Sequence, residues 1–65
     1  MTRGSGTSLR QVERFLRASG MTATAFGRAA VRDPRLVFDL RRGREMRTAT
    51  ARRVRAFIAE QGGEA

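Results

Sequence analysis

The chain has 65 residues, 14 arginines against 6 acidic residues and a formal net charge of +8, and it contains no lysine, histidine, cysteine, tryptophan or tyrosine. A chain of this length builds one domain with a thin core, and without cysteine it has neither disulfides nor thiolate metal sites. Because most general bases and catalytic amines are also missing, the composition argues against an enzyme, and we expect no cofactor and no metal site.

The first predicted helix follows a glycine-rich segment. Residues 1–7 are rich in Gly, Ser and Thr and predict a flexible N-terminal arm. Ser8 and Gln11 fit a capping box and Gly20 is a typical stop, which together predict a helix from Ser8 to near Gly20. Its apolar side chains recur at helical spacing and form one stripe: Leu9, Val12, Phe15 and Leu16.

The second predicted helix is short. Thr22 is a suitable N-cap, and the helix extends from it through Ala30. Phe26 is its large core residue, with Ala23 and Ala30 on the same face. As elsewhere in the chain, the alternating pattern of a strand is absent.

The third predicted helix has the clearest start. Asp33 can accept hydrogen bonds from the free amides of a first turn, and Pro34 has the backbone angle of a first helical position. Gly43 supplies the stop, so the helix is predicted at about residues 34–42. At about 100° per residue, one arc of this segment is apolar and faces the core: Leu36, Val37 and Leu40. The opposite arc combines charged residues with one aromatic residue: Arg35, Phe38, Asp39 and Arg42.

The fourth helix is predicted to begin near Thr48 and to end at about Glu60. Its apolar residues share one face: Ala51, Val54, Phe57 and Ile58. Residues 61–65 predict a helix stop followed by a disordered tail. The sequence thus predicts an all-α fold, a small four-helix domain over residues 8–60.

Most of the positive charge is concentrated in the second half of the chain. Ten arginines and only three acidic residues fall between Arg28 and Arg55, which gives this segment a net charge of +7. A basic segment of this kind favours a polyanionic partner, most often nucleic acid. The alternative is that the charge only keeps a small protein soluble.

The outward arc of the third predicted helix suits the major groove of DNA. Arginine can bind guanine O6 and N7, aspartate can accept a hydrogen bond from cytosine N4, and an aromatic ring can pack on the thymine methyl group. Two alternatives stay open. Phe38 can instead reach sideways into the core or into a dimer contact, and Asp39 can hold or pair with Arg35 one turn earlier.

The segment TATAFGRAAVRDPRLVFDLRRGR, residues 22–44, resembles the helix-turn-helix of the Cro/CI-like (XRE-type) DNA-binding family. The resemblance covers about residues 8–60 and implies a four-helix domain that lacks the usual fifth helix, a frequent dimerisation element. In that family the third helix is the recognition helix, and its early residues contact bases. One departure lies in the turn, where Val31 and Arg32 stand in place of the usual glycine and aliphatic residue.

The resemblance also implies which residues contact DNA. By this resemblance, the positions that face bases are occupied by Pro34, Arg35, Phe38 and Asp39. Thr22, at the start of the second helix, is implied to meet a phosphate. The loop after Gly43, with Arg44 and Arg47, is implied to be a second phosphate-contacting region. Arg42 at the end of the third helix has the charge to neutralise a phosphate as well, although surface solvation is the alternative for all these arginines.

These features predict a sequence-specific double-stranded DNA-binding transcriptional regulator of bacterial or phage type, in the cytoplasm at the nucleoid. No apolar run approaches the roughly 20 residues of a membrane span. Since a monomer contacts only a few base pairs, specificity calls for a homodimer or a partner regulatory protein, such as one associated with RNA polymerase.

Two other functions fit the same features less well. The main alternative is a protein-interaction module with a helix-turn-helix fold, antitoxin-like or a polymerase-binding adaptor, with Phe38 and Leu36 as protein anchors. The third is a basic amphipathic peptide acting at anionic membranes, against which the short, well-capped helices argue.

Overall fold

The structure is a computed structural model that describes residues 9–62, and these residues form four α-helices. In chain order they are α1 (Leu9–Ser19), α2 (Ala23–Val31), α3 (Leu36–Arg41) and α4 (Thr48–Glu60). No strand occurs within the described residues, so the predicted all-α fold with four helices is confirmed. The predicted N-terminal arm, the Ser8 cap and residues 63–65 of the predicted tail lie outside the described residues.

The core is centred on α2, which packs against both α3 and α4, while α1 packs against α3. Three phenylalanine rings meet there: the centroid of Phe26 lies 5.6 Å from that of Phe15 and 5.5 Å from that of Phe57. The apolar residues that helical spacing predicted for the core are buried, namely Val12, Phe15, Leu16, Phe26, Leu36, Val37, Leu40 and Val54. Half-buried side chains from the same predicted stripes pack around them, including those of Leu9, Phe57 and Ile58.

α2 ends in an αL C-cap motif that directs the chain toward α3. The Arg32 N–H donates to the Arg28 carbonyl over 3.0 Å. The Asp33 N–H donates to the Gly27 carbonyl, also over 3.0 Å. Arg32 has a φ of +59° and a ψ of 31°, the left-handed conformation that a Cβ disfavours. The helix thus ends at Val31, one residue later than predicted.

α3 is shorter than predicted, because Asp33 and Pro34 form a turn before the helix and not its first residues. Asp33 Oδ1 accepts a hydrogen bond from the Arg35 N–H, and the Asp33 carbonyl accepts one from the Leu36 N–H, each over 3.0 Å. This tight turn leaves Arg35 at φ −96° and ψ 0°, outside the helical region, so the α-helix begins at Leu36. Gly43, with a φ of +108°, follows the helix as predicted.

Replacing Arg32 with glycine is expected to stabilise the domain. The left-handed conformation costs a residue with a Cβ roughly 1 to 2 kcal/mol, and the greater freedom of glycine in the unfolded chain offsets part of the gain. We expect the free energy of unfolding, measured by urea denaturation, to rise by about 0.5 to 1 kcal/mol. Arg32→Ala is the matched control, since it removes the same charge and keeps the Cβ. Equal gains in both variants would assign the effect to the charge.

Candidate nucleic-acid interface

The two faces of α3 differ in exposure. Leu36 and Val37 are fully buried and Leu40 is 7% exposed, as helical spacing predicted. Phe38 is 45% exposed and is the one large hydrophobic side chain left exposed within residues 9–62. The alternative in which Phe38 reaches into the core is therefore wrong. An apolar ring that the fold leaves outside its core is available to a partner.

The predicted base-contacting residues lie in the turn before α3 and on the helix itself. Pro34 and Arg35 precede the helix and are exposed, and Phe38 is exposed on the helix. Asp39 is half-buried. The Arg35 side chain forms no ion pair within the described part of the chain. Its guanidinium donors therefore remain for an external acceptor.

The carboxylate of Asp39 binds Arg44 and not Arg35. Arg44 Nη1 lies 2.9 Å from Asp39 Oδ2 and 3.3 Å from Asp33 Oδ2. The alternative in which Asp39 pairs with Arg35 is wrong, because the Asp39 carboxylate binds Arg44 although the Asp39 N–H donates to the Arg35 carbonyl over 2.9 Å, one helical turn earlier. The hydrogen bonds to Asp33 and to Asp39 raise the pKa of Arg44 above its ordinary value. In the candidate site, Arg44 is thus already paired with two carboxylates.

The turn after α3 explains how Arg44 reaches these carboxylates. Gly43 in its left-handed conformation reverses the chain, and the Arg44 N–H donates to the Asp39 carbonyl over 3.0 Å. Arg44 therefore binds Asp39 twice, through its backbone N–H and through its guanidinium. Residues five positions apart do not face each other on a helix, so helical spacing gave no indication of this pair.

Arg41 links α3 to α1, a role that we did not predict from the sequence. Its Nε and Nη2 donate to Glu13 Oε2 and Oε1 over 2.7 and 2.9 Å, which makes a bidentate pair. These hydrogen bonds lower the pKa of Glu13, so the pair is ionised at neutral pH. The Arg41 Cζ atom also lies 5.7 Å from the centre of the Phe38 ring. The spacing of Phe38 and Arg41 could have indicated this stacking, whereas Glu13 lies 28 positions from Arg41.

The predicted phosphate-contacting residues are all exposed, but they differ in the hydrogen bonds and ion pairs that they already form within the protein. Thr22 Oγ1 accepts a hydrogen bond from the Ala25 N–H over 3.1 Å, which confirms Thr22 as the N-cap of α2. Its hydroxyl hydrogen can still donate to an anion. Arg42 and Arg47 form no ion pair within residues 9–62, in contrast to Arg44.

Most arginines in the described part of the chain have no carboxylate partner there. Apart from Arg41 and Arg44, the arginines of residues 9–62 form no ion pair within that part of the chain. A surface of this kind attracts polyanions. The described residues include no group of three or more side chains placed to hold a metal ion, and none of their helices has the length and apolar character needed to cross a membrane.

The structure thus presents one outward face that combines a free arginine, an exposed phenylalanine ring and a carboxylate held by a second arginine. Comparison with protein-family models, with curated proteins and with solved structures finds no match for this chain. The resemblance of residues 22–44 to the Cro/CI-like family therefore stays a prediction. The structure itself shows an all-α four-helix domain with an arginine-rich surface around α3.

Proposed function

We propose that this domain is a sequence-specific double-stranded DNA-binding transcriptional regulator of bacterial or phage type, with α3 and the turn before it in the major groove. The observation that carries the proposal is Phe38, which is 45% exposed on a helix whose opposite face is buried. An exposed phenylalanine adds little to the stability of a solvated helix, whereas a helix in the major groove can pack one against a thymine methyl group. The proposal places the domain in the cytoplasm at the nucleoid.

In this proposal the sequence preference comes from Arg35, Phe38 and Asp39. The Arg35 guanidinium, without an ionic partner in the described residues, donates to O6 and N7 of one guanine. Phe38 supplies an apolar contact. Asp39 binds Arg44 through Oδ2, so its Oδ1 can accept a hydrogen bond from a cytosine N4 amine. Pro34 lies in the turn before α3 and restricts the backbone of that turn.

The affinity common to all sequences comes from residues that flank α3. Arg42 and Arg47 carry charges that no carboxylate within residues 9–62 pairs with, and Thr22 has a hydroxyl hydrogen to donate. Each phosphate neutralised releases counterions and so adds affinity for any duplex. Arg44 contributes less to this affinity than predicted, because Asp33 and Asp39 already compensate its charge.

A second DNA-binding unit is part of the proposal. One six-residue helix contacts only a few base pairs, which is too little to distinguish one site in a genome. Two copies of the chain on adjacent half-sites, or one copy beside a partner regulatory protein such as one associated with RNA polymerase, would supply the missing specificity.

Selection of bound sequences from a random duplex pool tests the proposal, and two variants separate the proposed roles. Arg35→Ala should lose roughly 1 to 3 kcal/mol on the selected site and little on random duplex. Arg47→Ala should weaken binding to both by a similar factor and lower the slope of log affinity against log salt by about 1. Both residues are exposed, so unchanged melting temperatures are the control for folding.

Failure to bind any duplex at low salt would contradict the proposal. The interaction-module alternative, an antitoxin-like or polymerase-binding adaptor, predicts that outcome together with capture of a protein partner through Phe38. Leu36 cannot serve as a second anchor for such a partner, because it is fully buried. An equal loss on all sequences after Arg35→Ala would instead show that Arg35 contacts phosphate.

A further inference from the structure

The exposed ring of Phe38 lies beside one side chain, that of Arg41, which is held in turn by Glu13. Glu13 on α1 holds the Arg41 guanidinium through hydrogen bonds of 2.7 and 2.9 Å. The Arg41 Cζ atom lies 5.7 Å from the centre of the Phe38 ring. A guanidinium bound at two nitrogens loses its freedom to rotate, and the ring beside it has fewer rotamers open to it. The rest of the ring therefore faces solvent in a defined orientation.

Stability does not account for this arrangement. An ion pair between exposed side chains contributes little to folding, and so does a cation near an exposed ring. Arg41 and Phe38 are both exposed, so removing either would change the stability of the domain only slightly. The physical consequence of the contacts is the orientation of the Phe38 ring.

We infer that Phe38 recognises the C5 methyl group of a pyrimidine in the major groove, and that Glu13 and Arg41 are positioning residues for the ring. The inference rests on the proposed function, because it concerns the same face of α3. A phenyl ring has no hydrogen-bond donor or acceptor, so it does not distinguish the polar edges of the bases. It distinguishes a pyrimidine that carries a methyl group from one that does not.

The inference extends the ligand from thymine to methylated cytosine. Thymine carries its methyl group on C5 in the major groove, and 5-methylcytosine carries the same group on the same ring atom. Uracil and cytosine lack it. Methylation of one cytosine in a binding site should therefore strengthen binding by the same factor as the change from uracil to thymine at that position.

The surroundings of the ring favour DNA over a protein partner. Arg35 in the turn before α3 and Arg42 directly after the helix are exposed, and neither has a carboxylate partner within residues 9–62. An apolar group between two free positive charges is suited to a polyanion that also carries methyl groups. A protein surface would have to provide an apolar pocket and desolvated acidic groups together.

The experiment uses the full chain and a duplex obtained from the random pool. Each thymine is replaced in turn by uracil, and at the sensitive position cytosine is compared with 5-methylcytosine, with guanine opposite. We expect one thymine position per bound chain to lose roughly fourfold in affinity as uracil, the effect of one buried methyl group. The change from cytosine to 5-methylcytosine should raise the binding affinity by a similar factor. Both ratios should fall to about one in Phe38→Ala.

A charge swap separates positioning from a structural role. Glu13→Gln breaks the pair and should reduce the methyl ratio while binding to random duplex is kept. The double variant Glu13→Arg with Arg41→Glu can restore the ion pair, but it places a carboxylate beside the ring in place of the guanidinium. The melting temperature is the control for folding and should stay close to that of the parent in both variants. If the guanidinium orients Phe38, the methyl ratio stays low in the double variant. Recovery of the methyl ratio there would show that the guanidinium beside the ring is not needed, and would overturn the positioning inference.

The outcomes distinguish this inference from the proposed function. If the protein selects a DNA site but no thymine responds to uracil, or if Phe38→Ala keeps the methyl ratio, the inference is overturned and the DNA-binding proposal stands. If the protein binds no duplex at low salt, both are overturned. Because each methyl ratio compares two duplexes on one variant, a change in the net charge of the protein, as in Glu13→Gln, acts on both duplexes and cancels in the ratio.

Discussion

The Phe26→Ala variant is expected to lose its cooperative thermal transition. Phe26 is fully buried, and its ring contacts those of Phe15 and Phe57 at centroid distances of 5.6 and 5.5 Å. The substitution therefore leaves a cavity where α1, α2 and α4 meet. Buried Phe-to-Ala changes cost about 3 to 5 kcal/mol, while a domain of this size has about 3 to 10 kcal/mol of stability in total. Circular dichroism against temperature measures the effect.

Phe38→Ala is the matched control for this prediction. It removes the same atoms from a side chain that is 45% exposed, so stability should change by less than about 0.5 kcal/mol. Phe26→Leu is a second control, because it keeps most of the buried volume and should retain a cooperative transition at a lower temperature. A Phe26→Ala protein that melts like the parent would contradict the packing described for the three rings.

The second large effect is expected for Gly27→Ala, which should destabilise the domain although alanine is the better helix former. Gly27 is buried in α2, and a Cβ there would overlap the backbone carbonyl oxygen of Asp33 and lie 3.3 Å from the Leu36 Cβ. The obstacle is backbone, so the turn between α2 and α3 must move. Overpacking of this kind typically costs about 1 to 3 kcal/mol, which we expect as a lower midpoint in urea denaturation.

The opposite substitution at an exposed position of α2 is the control for Gly27→Ala. Ala29→Gly removes a Cβ from an exposed site and should cost about 1 kcal/mol through helix propensity alone. If propensity also governed position 27, Gly27→Ala would stabilise the domain by a similar amount, and such a gain would show that the close approach to Asp33 is absent.

The position of Asp33 connects this close approach to the candidate site. Its carboxylate accepts from the Arg35 N–H through Oδ1 and from Arg44 through Oδ2, and its carbonyl accepts from the Leu36 N–H. A displacement of Asp33 by a side chain at position 27 would therefore move the start of α3 and the two arginines together. Packing between α2 and the turn is thus part of what orients the proposed DNA-contacting residues.

The roles of the arginines could be predicted from the sequence only in part. The helical positions of Arg35 and Arg42 follow from the spacing of the buried residues of α3, and the structure leaves both exposed and without an ion pair in the described part of the chain. Arg41 and Arg44 have the same side chain and lie in the same basic segment. Their carboxylate partners become visible only in the folded structure.

The sequence by itself determined the four helices, their core-facing sides and the glycine stops. These features depend on residues within about four positions of each other, through helical periodicity, capping and backbone conformation. The net charge and the missing residue types also predict a non-enzymatic protein with a polyanionic partner, and both stay predictions.

Only the tertiary structure decided where α3 begins, which arginines are neutralised and what holds Phe38. Glu13 and Arg41 are 28 positions apart and meet because α1 packs against α3. Asp33 and Arg44 are 11 positions apart and meet because the Gly43 turn reverses the chain. Long flexible side chains take their partners from whatever the packed backbone brings within hydrogen-bonding distance, and no local pattern encodes that distance.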